Sequence, residues 1–88
     1  MQVAVDLSYY PLTADYEPPI KDFIRGLKQH AGLTVATNPL TTQVSGEYDL
    51  VMNAIQAEIK KSLKNGPVAS FVLKVLNVDI EPGKVVEI

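Results

Sequence analysis

The chain is 88 residues long, enough for one small core and too short for two domains. Its 47% hydrophobic content is that of a globular domain, and no apolar run approaches the ~18 residues of a membrane span. Ten acidic against eight basic residues leave a net charge of −2, with Arg25 the only arginine; this argues against a nucleic-acid partner, and the lack of cysteine excludes disulfides, thiolate zinc sites and thiol nucleophiles.

Val3, Val5, Leu7 and Tyr9 alternate with Ala4, Asp6, Ser8 and Tyr10, which predicts a strand stopped by Pro11. The start, Met1 to Asp6, has no basic region of the kind a secretory signal needs, so the expected location is the cytoplasm. Leu12 to Asp15 is a loop. Pro18-Pro19 predicts a helix starting no earlier than Pro19, with Ile20, Phe23, Ile24, Leu27 and Ala31 on one apolar stripe and Gly32 as a left-handed stop.

Leu33 to Thr37 predicts a short second strand, and Asn38-Pro39 a turn. Thr41 to Ser45 predicts a third strand ended by Gly46. Tyr48, Val51, Met52, Ile55, Ile59 and Leu63 share a second helical stripe, capped by Asp49 or Ser45 and closed by Asn65-Gly66-Pro67. Lys60, Lys61 and Lys64 read as the solvated end of this helix, near the negative pole of its dipole. Phe71, Leu73 and Val75 alternate with Ser70, Val72, Lys74 and Leu76 in a fourth strand running to about Val78. Glu81-Pro82-Gly83 is a turn, and Lys84 to Ile88 is a tail able to add a short edge strand.

The order β-α-β-β-α-β with right-handed crossovers predicts an α+β, ferredoxin-like sandwich, or alpha-beta plait, as a single domain. The expected antiparallel sheet runs fourth, first, third, second strand, with both helices on one face. Val3, Val5, Leu7, Val35, Val44, Phe71, Leu73 and Val75 are assigned to the helix side. The other face is mixed, with Asp6 and Lys74 on neighbouring strands and Val72 and Leu76 beside them. Such a face suits a wet protein–protein interface, so a homodimer or homotetramer is expected.

The residues that would carry chemistry are sparse. His30 is the only histidine and reads as a helix C-terminal residue facing the dipole. One histidine makes no metal site, Glu47 and Glu58 have no matched partner in sequence, and the five glycines are dispersed as punctuation. No catalytic set or cofactor motif emerges, and the expectation is a protein that is not an enzyme. An RNA-recognition reading fails because Thr41 to Ser45 carries no aromatic residue. Uncharged polar residues do gather at strand ends: Ser8, Tyr10, Thr37, Asn38, Thr41 and Thr42, with Tyr48 close by in sequence. Hydroxyls, an amide and a tyrosine ring suit a small heteroaromatic ligand; hairpin and turn chemistry is the alternative explanation of the same residues.

Three segments, in order, resemble the YkoF-type thiamine-binding family. Leu7-Ser8-Tyr9-Tyr10-Pro11-Leu12 is similar to its strand-ending serine and Tyr-Pro-Leu/Met. Pro39 to Gly46 is similar to its Pro-Met-x-Thr-x-Ile/Val-x-Gly strand, and a helix from Glu47 to Leu63 follows directly. The resemblance spans about Val3 to Val78. It implies homo-oligomers with extended or stacked sheets and non-catalytic binding of thiamine or its hydroxymethylpyrimidine part. Ser8, Tyr10 and Thr42 match family positions; Thr41 matches one branch, and Thr13 replaces a glycine that often follows Tyr-Pro-Leu. The ligand-binding set expected on this basis is Ser8, Tyr10, Asn38, Thr41, Thr42 and Tyr48, with Asp6, Glu47 or Asp49 facing a thiazolium cation. Ser8 and Thr42 are expected to point to opposite sheet faces. The alternative is a structural or regulatory oligomer with no small-molecule ligand.

Overall fold

Alternating valines and leucines make the first strand the centre of the sheet. In a computed structural model describing residues 1–88, the elements run β1 (Gln2–Pro11), α1 (Glu17–Lys28), β2 (Thr34–Thr37), β3 (Thr42–Glu47), α2 (Tyr48–Asn65) and β4 (Ala69–Leu76). The antiparallel order is β2-β3-β1-β4, the ferredoxin-like arrangement. Val5 pairs with Val44 on one side and Val75 on the other, and Asp6 with Gln43 and Lys74. Odd-numbered residues of β1 therefore face the helices, and even-numbered ones face away.

Val3, Val5, Leu7 and Val44 are buried with Phe23 and Leu27 of α1 and Val51 and Ile55 of α2. Val35, Phe71 and Leu73 pack against this core as expected. Val75 does not; it is 45% exposed on an edge strand. At the end of β1, Tyr9 stacks on Phe71 with ring centroids 4.3 Å apart and meets Phe23 edge-on at 5.4 Å. Its hydroxyl is buried without a hydrogen-bond partner.

Several boundaries differ from expectation for local reasons. Pro11 does end β1, but from within it, as its last residue and paired with Ala69. Helix α1 begins at Glu17, ahead of both prolines, because the first N–H groups of a helix have no internal acceptor and proline gives up nothing there. It ends at Lys28, leaving Ala31 exposed, and Gly32 (φ +81°) turns the chain only afterwards. Strand β3 starts at Thr42 and runs through Gly46 to Glu47, straight into α2. Gly46 has φ +155°, and a Cβ there would lie 2.9 Å from the Gly32 carbonyl oxygen. The cap of α2 is neither Asp49 nor Ser45 but Glu47, whose Oε2 accepts from the Asp49 and Leu50 backbone N–H groups at 3.0 and 3.2 Å. Gly66 closes α2 without a left-handed conformation (φ −108°). Glycine is needed there because a Cβ would lie 2.7 Å from the Ser62 carbonyl oxygen.

The tail forms no edge strand. Instead the segment after β4 doubles back over the face away from the helices. Ile80 and Pro82 lie over Asp6, Gln43, Lys74 and Leu76, and the Gly83 N–H donates to Gln43 Oε1 at 2.7 Å. That face is thus strapped rather than fully open. No helix is long and apolar enough to cross a membrane.

Candidate functional site

Three parts of the fold meet at the Pro11 end of β1. The strand brings Ser8, Tyr10 and Pro11. The turn between β2 and β3 brings Asn38, Pro39 and Leu40, followed by Thr41 and Thr42. Helix α1 and the loop before it bring Tyr16, Ile20, Phe23 and Ile24. Between them is a groove of about 370 Å³, within the ~300–1,000 Å³ usual for small-molecule sites. Tyr10, Leu12, Tyr16 and Leu40 are exposed and form its rim. Isoleucines and a phenylalanine form its inner wall.

Five of the six residues singled out from the sequence line this groove: Ser8, Tyr10, Asn38, Thr41 and Thr42. Tyr48 does not. It opens α2 at the far end of β1, where its N–H donates to the Met1 carbonyl oxygen at 2.9 Å. The expected split between sheet faces is real: Thr42 pairs with Leu7 and shares its helix-facing side, whereas Ser8 faces the other way. Both still border the groove, because it wraps around the end of the sheet rather than lying on one face.

The polar groups are partly spent on the turn. Asn38 Oδ1 accepts from the Leu40 and Thr41 N–H groups at 2.8 and 3.0 Å, an Asx-type turn that fixes the rim. The amide nitrogen of Asn38 is the part of this side chain free of the turn. Thr42, buried, shares a hydrogen bond with Thr37 across the hairpin (Oγ1 to Oγ1, 2.9 Å). Thr41 Oγ1 contacts Asp6 Oδ1 and lies 3.0 Å from the Leu7 carbonyl oxygen. Asp6 therefore stands one hydrogen bond behind the groove, with Lys74 Nζ 4.0 Å away on its other side. Of the three carboxylates considered for a cation, Asp6 alone is near. Glu47 and Asp49 sit at the start of α2, and the Glu47 carboxylate is committed to the cap.

A larger cleft, about 690 Å³, separates α1 from α2 and is lined by Asp15, Asp22, Glu58 and Lys61 among others. Apart from Asp15, its ionic groups are already paired within the protein. Glu58 is only 5% exposed, and its Oε2 lies 2.8 Å from His30 Nε2 while its Oε1 lies 3.1 Å from Lys61 Nζ. Asp22 accepts from Arg25 at 3.1 Å. Burial pushes the Glu58 carboxyl up, but hydrogen bonds and charges from His30 and Lys61 outweigh this and hold it below the usual range. His30 is thus not simply a helix-end residue, and Glu58 has a partner 28 residues away. The groove at β1, with free hydroxyls and aromatic walls, is the better candidate for a ligand.

Sequence reasoning missed Leu12, Tyr16, Leu40 and Phe23 as groove residues because they lie on three separate elements. It also missed the His30–Glu58 pair. The signal for that pair is Gly26, an interior helix glycine, opposite a glutamate spaced three residues from Ile55 on the apolar stripe of α2.

No protein-family model and no curated protein matches the sequence. Solved structures do. A hypothetical protein of Methanocaldococcus jannascii (MJ1052) superposes with TM-score 0.78 at 22% identity, covering 96% of this chain and 88% of that one. A candidate thiamine biosynthesis/salvage protein of Thermotoga maritima (TM0486) superposes with TM-score 0.75 at 18% identity, covering 85% and 82%. A domain of unknown function, DUF77, from Bacillus cereus superposes with TM-score 0.66 at 18% identity, covering 100% and 84%. At these identities the likeness is one of fold.

Proposed function

We propose that the protein is a YkoF-type, non-catalytic binder of thiamine or its hydroxymethylpyrimidine part, working as a homo-oligomer. The observation that carries this reading is the convergence of Ser8, Tyr10, Asn38, Thr41 and Thr42 on one groove with aromatic walls. The name of the Thermotoga maritima neighbour supports the ligand class. The aminopyrimidine ring lies against Tyr10 or Tyr16, an arrangement in which ring stacking adds about 0.5–1.5 kcal/mol beyond area burial. The Asn38 amide N–H donates to a ring nitrogen, and Ser8 Oγ accepts from the exocyclic amine. A thiazolium cation is drawn toward Asp6, which gives up its loose pairing with Lys74.

Calorimetric titration of the full chain with thiamine and with hydroxymethylpyrimidine tests this. One saturable site per chain is expected. Tyr10→Ala should weaken it about two- to tenfold, the equivalent of about 0.5–1.5 kcal/mol. Tyr48→Ala, at the far end of β1, should leave it unchanged. Absence of heat with either ligand up to millimolar concentration overturns the binding reading and leaves a ligand-free oligomer.

A further inference from the structure

The strap carries the end of the chain to an unexpected place. It leaves β4 at one edge of the sheet, crosses the face away from the helices, and reaches β2 at the opposite edge. A Cβ on Gly83 would lie 2.8 Å from Ala36 Cβ, and Lys84 lies beside Thr34 and Ser45. Beyond it, Val85, Val86 and Ile88 are exposed, and residues 84–88 make no regular secondary structure. The run Lys-Val-Val-Glu-Ile is rich in β-branched residues, which favour strands. An extended segment of this kind must find partners for its backbone or leave them to water.

The free edge of β4 offers those partners. It is eight residues long, with Val72 and Val75 exposed and Lys74 its only charged residue. An unprotected edge of that length is a template for another strand. We infer that residues Lys84–Ile88 pair antiparallel with β4 of a second copy, Glu87 opposite the partner's Lys74. That register sets Val85 opposite Leu76, Val86 opposite Val75 and Ile88 opposite Leu73. Charge meets charge and apolar meets apolar on both faces at once. Shifting the pairing by one residue would set the Glu87 carboxylate against an apolar side chain and reverse both faces. The free edge of β2 has no cation to match Glu87. Lys74 is available, since it is 69% exposed and holds Asp6 only at 4.0 Å.

The partner must be another molecule. Within one chain the tail starts beside β2, three strand spacings (about 14 Å) from β4. All five residues are needed alongside β4, so none is left for the return. Two copies stacked on their strapped faces about a twofold axis set each β2 edge by the other's β4 edge, and both tails exchange. This inference rests on the homo-oligomer part of the reading above and does not depend on a ligand.

Sedimentation velocity of the full chain at about 200 µM tests it, with circular dichroism confirming the fold of each variant. The native chain should sediment as a dimer or a multiple of it. Val86→Pro, which breaks the tail's backbone ladder at an exposed position, should weaken association at least tenfold. Lys74→Glu and Glu87→Lys should each weaken it, and the double variant should recover to near the native value. Native-like assembly of Val86→Pro, or no recovery in the double variant, overturns the tail contact while leaving an oligomer in place. A monomeric native chain overturns both.

Discussion

Substituting Gly26 by alanine should reveal how α1 and α2 are fastened. In an open helix interior, Gly→Ala stabilises by roughly 0.5–1 kcal/mol. Here the added Cβ would lie 2.7 Å from Glu58 Cδ and closer still to Oε1. The obstructing atoms end a flexible side chain, so the carboxylate moves and the backbone stays. Moving it breaks the half-buried His30 bond, a charge-assisted interaction of about 1.5–3 kcal/mol. The Lys61 contact adds little, because that ammonium is largely exposed. The net expectation is a loss of about 1–2 kcal/mol. For a domain of this size that lowers the thermal midpoint by roughly 4–16 °C, at 4–8 °C per kcal/mol. The companion measurement is the same substitution in a Glu58→Ala background. With no carboxylate in the notch, Gly26→Ala should become stabilising by about 0.5–1 kcal/mol. Thermal and urea unfolding of the four chains give the coupling directly. Stabilisation by Gly26→Ala in the native background, or additive effects in the cycle, would refute the reasoning.

Other expectations follow from single side chains. Because the folded Glu58 carboxyl is held below its unfolded value, its contribution is present above the unfolded pKa and lost as pH falls through the folded one. Stability in the acid range should therefore drop less steeply in Glu58→Gln, as read by urea midpoints across pH. Tyr9→Phe removes a buried, unpartnered hydroxyl and should be neutral or stabilising by about 1 kcal/mol in thermal unfolding. Gly46→Ala requires a side chain at φ +155°, close to the Gly32 carbonyl oxygen, and should cost more than about 1 kcal/mol. Thr42→Val should lower stability by about 1 kcal/mol, the typical worth of its hydrogen bond to Thr37.

The strand and helix order was legible because apolar periodicity is long and clean: Val3 to Tyr9 at period two, Ile20 to Leu27 and Val51 to Ile59 at helical period. Element ends were less legible, since competing local effects set them. Proline rings fit a helix's first turn as easily as they precede it, and a glutamate can cap where serine or aspartate is the usual choice. The strap escaped because Gln43 grips Gly83 across 40 residues, and no local pattern announces such a bond. Of the groove, the polar members could be found, as they cluster at strand ends. Tyr48 misled because nearness in sequence grouped it with Thr41 and Thr42, whereas β3 carries it the full length of the strand away from the hairpin turn.

The junction at Gly46-Glu47-Tyr48 has a mechanical consequence. With no intervening loop, β3 leaves the groove's rim and hands the chain straight to the 18 residues of α2, which run back until Ser62, Asn65 and Gly66 share a cleft with Tyr9 and Phe23. A molecule that tightens the hairpin turn around Asn38 would therefore steady both ends of the β3–α2 unit at once. Occupancy of the groove should then be audible in the slow hydrogen exchange of amides near Leu63, although no residue of α2 lines the groove itself.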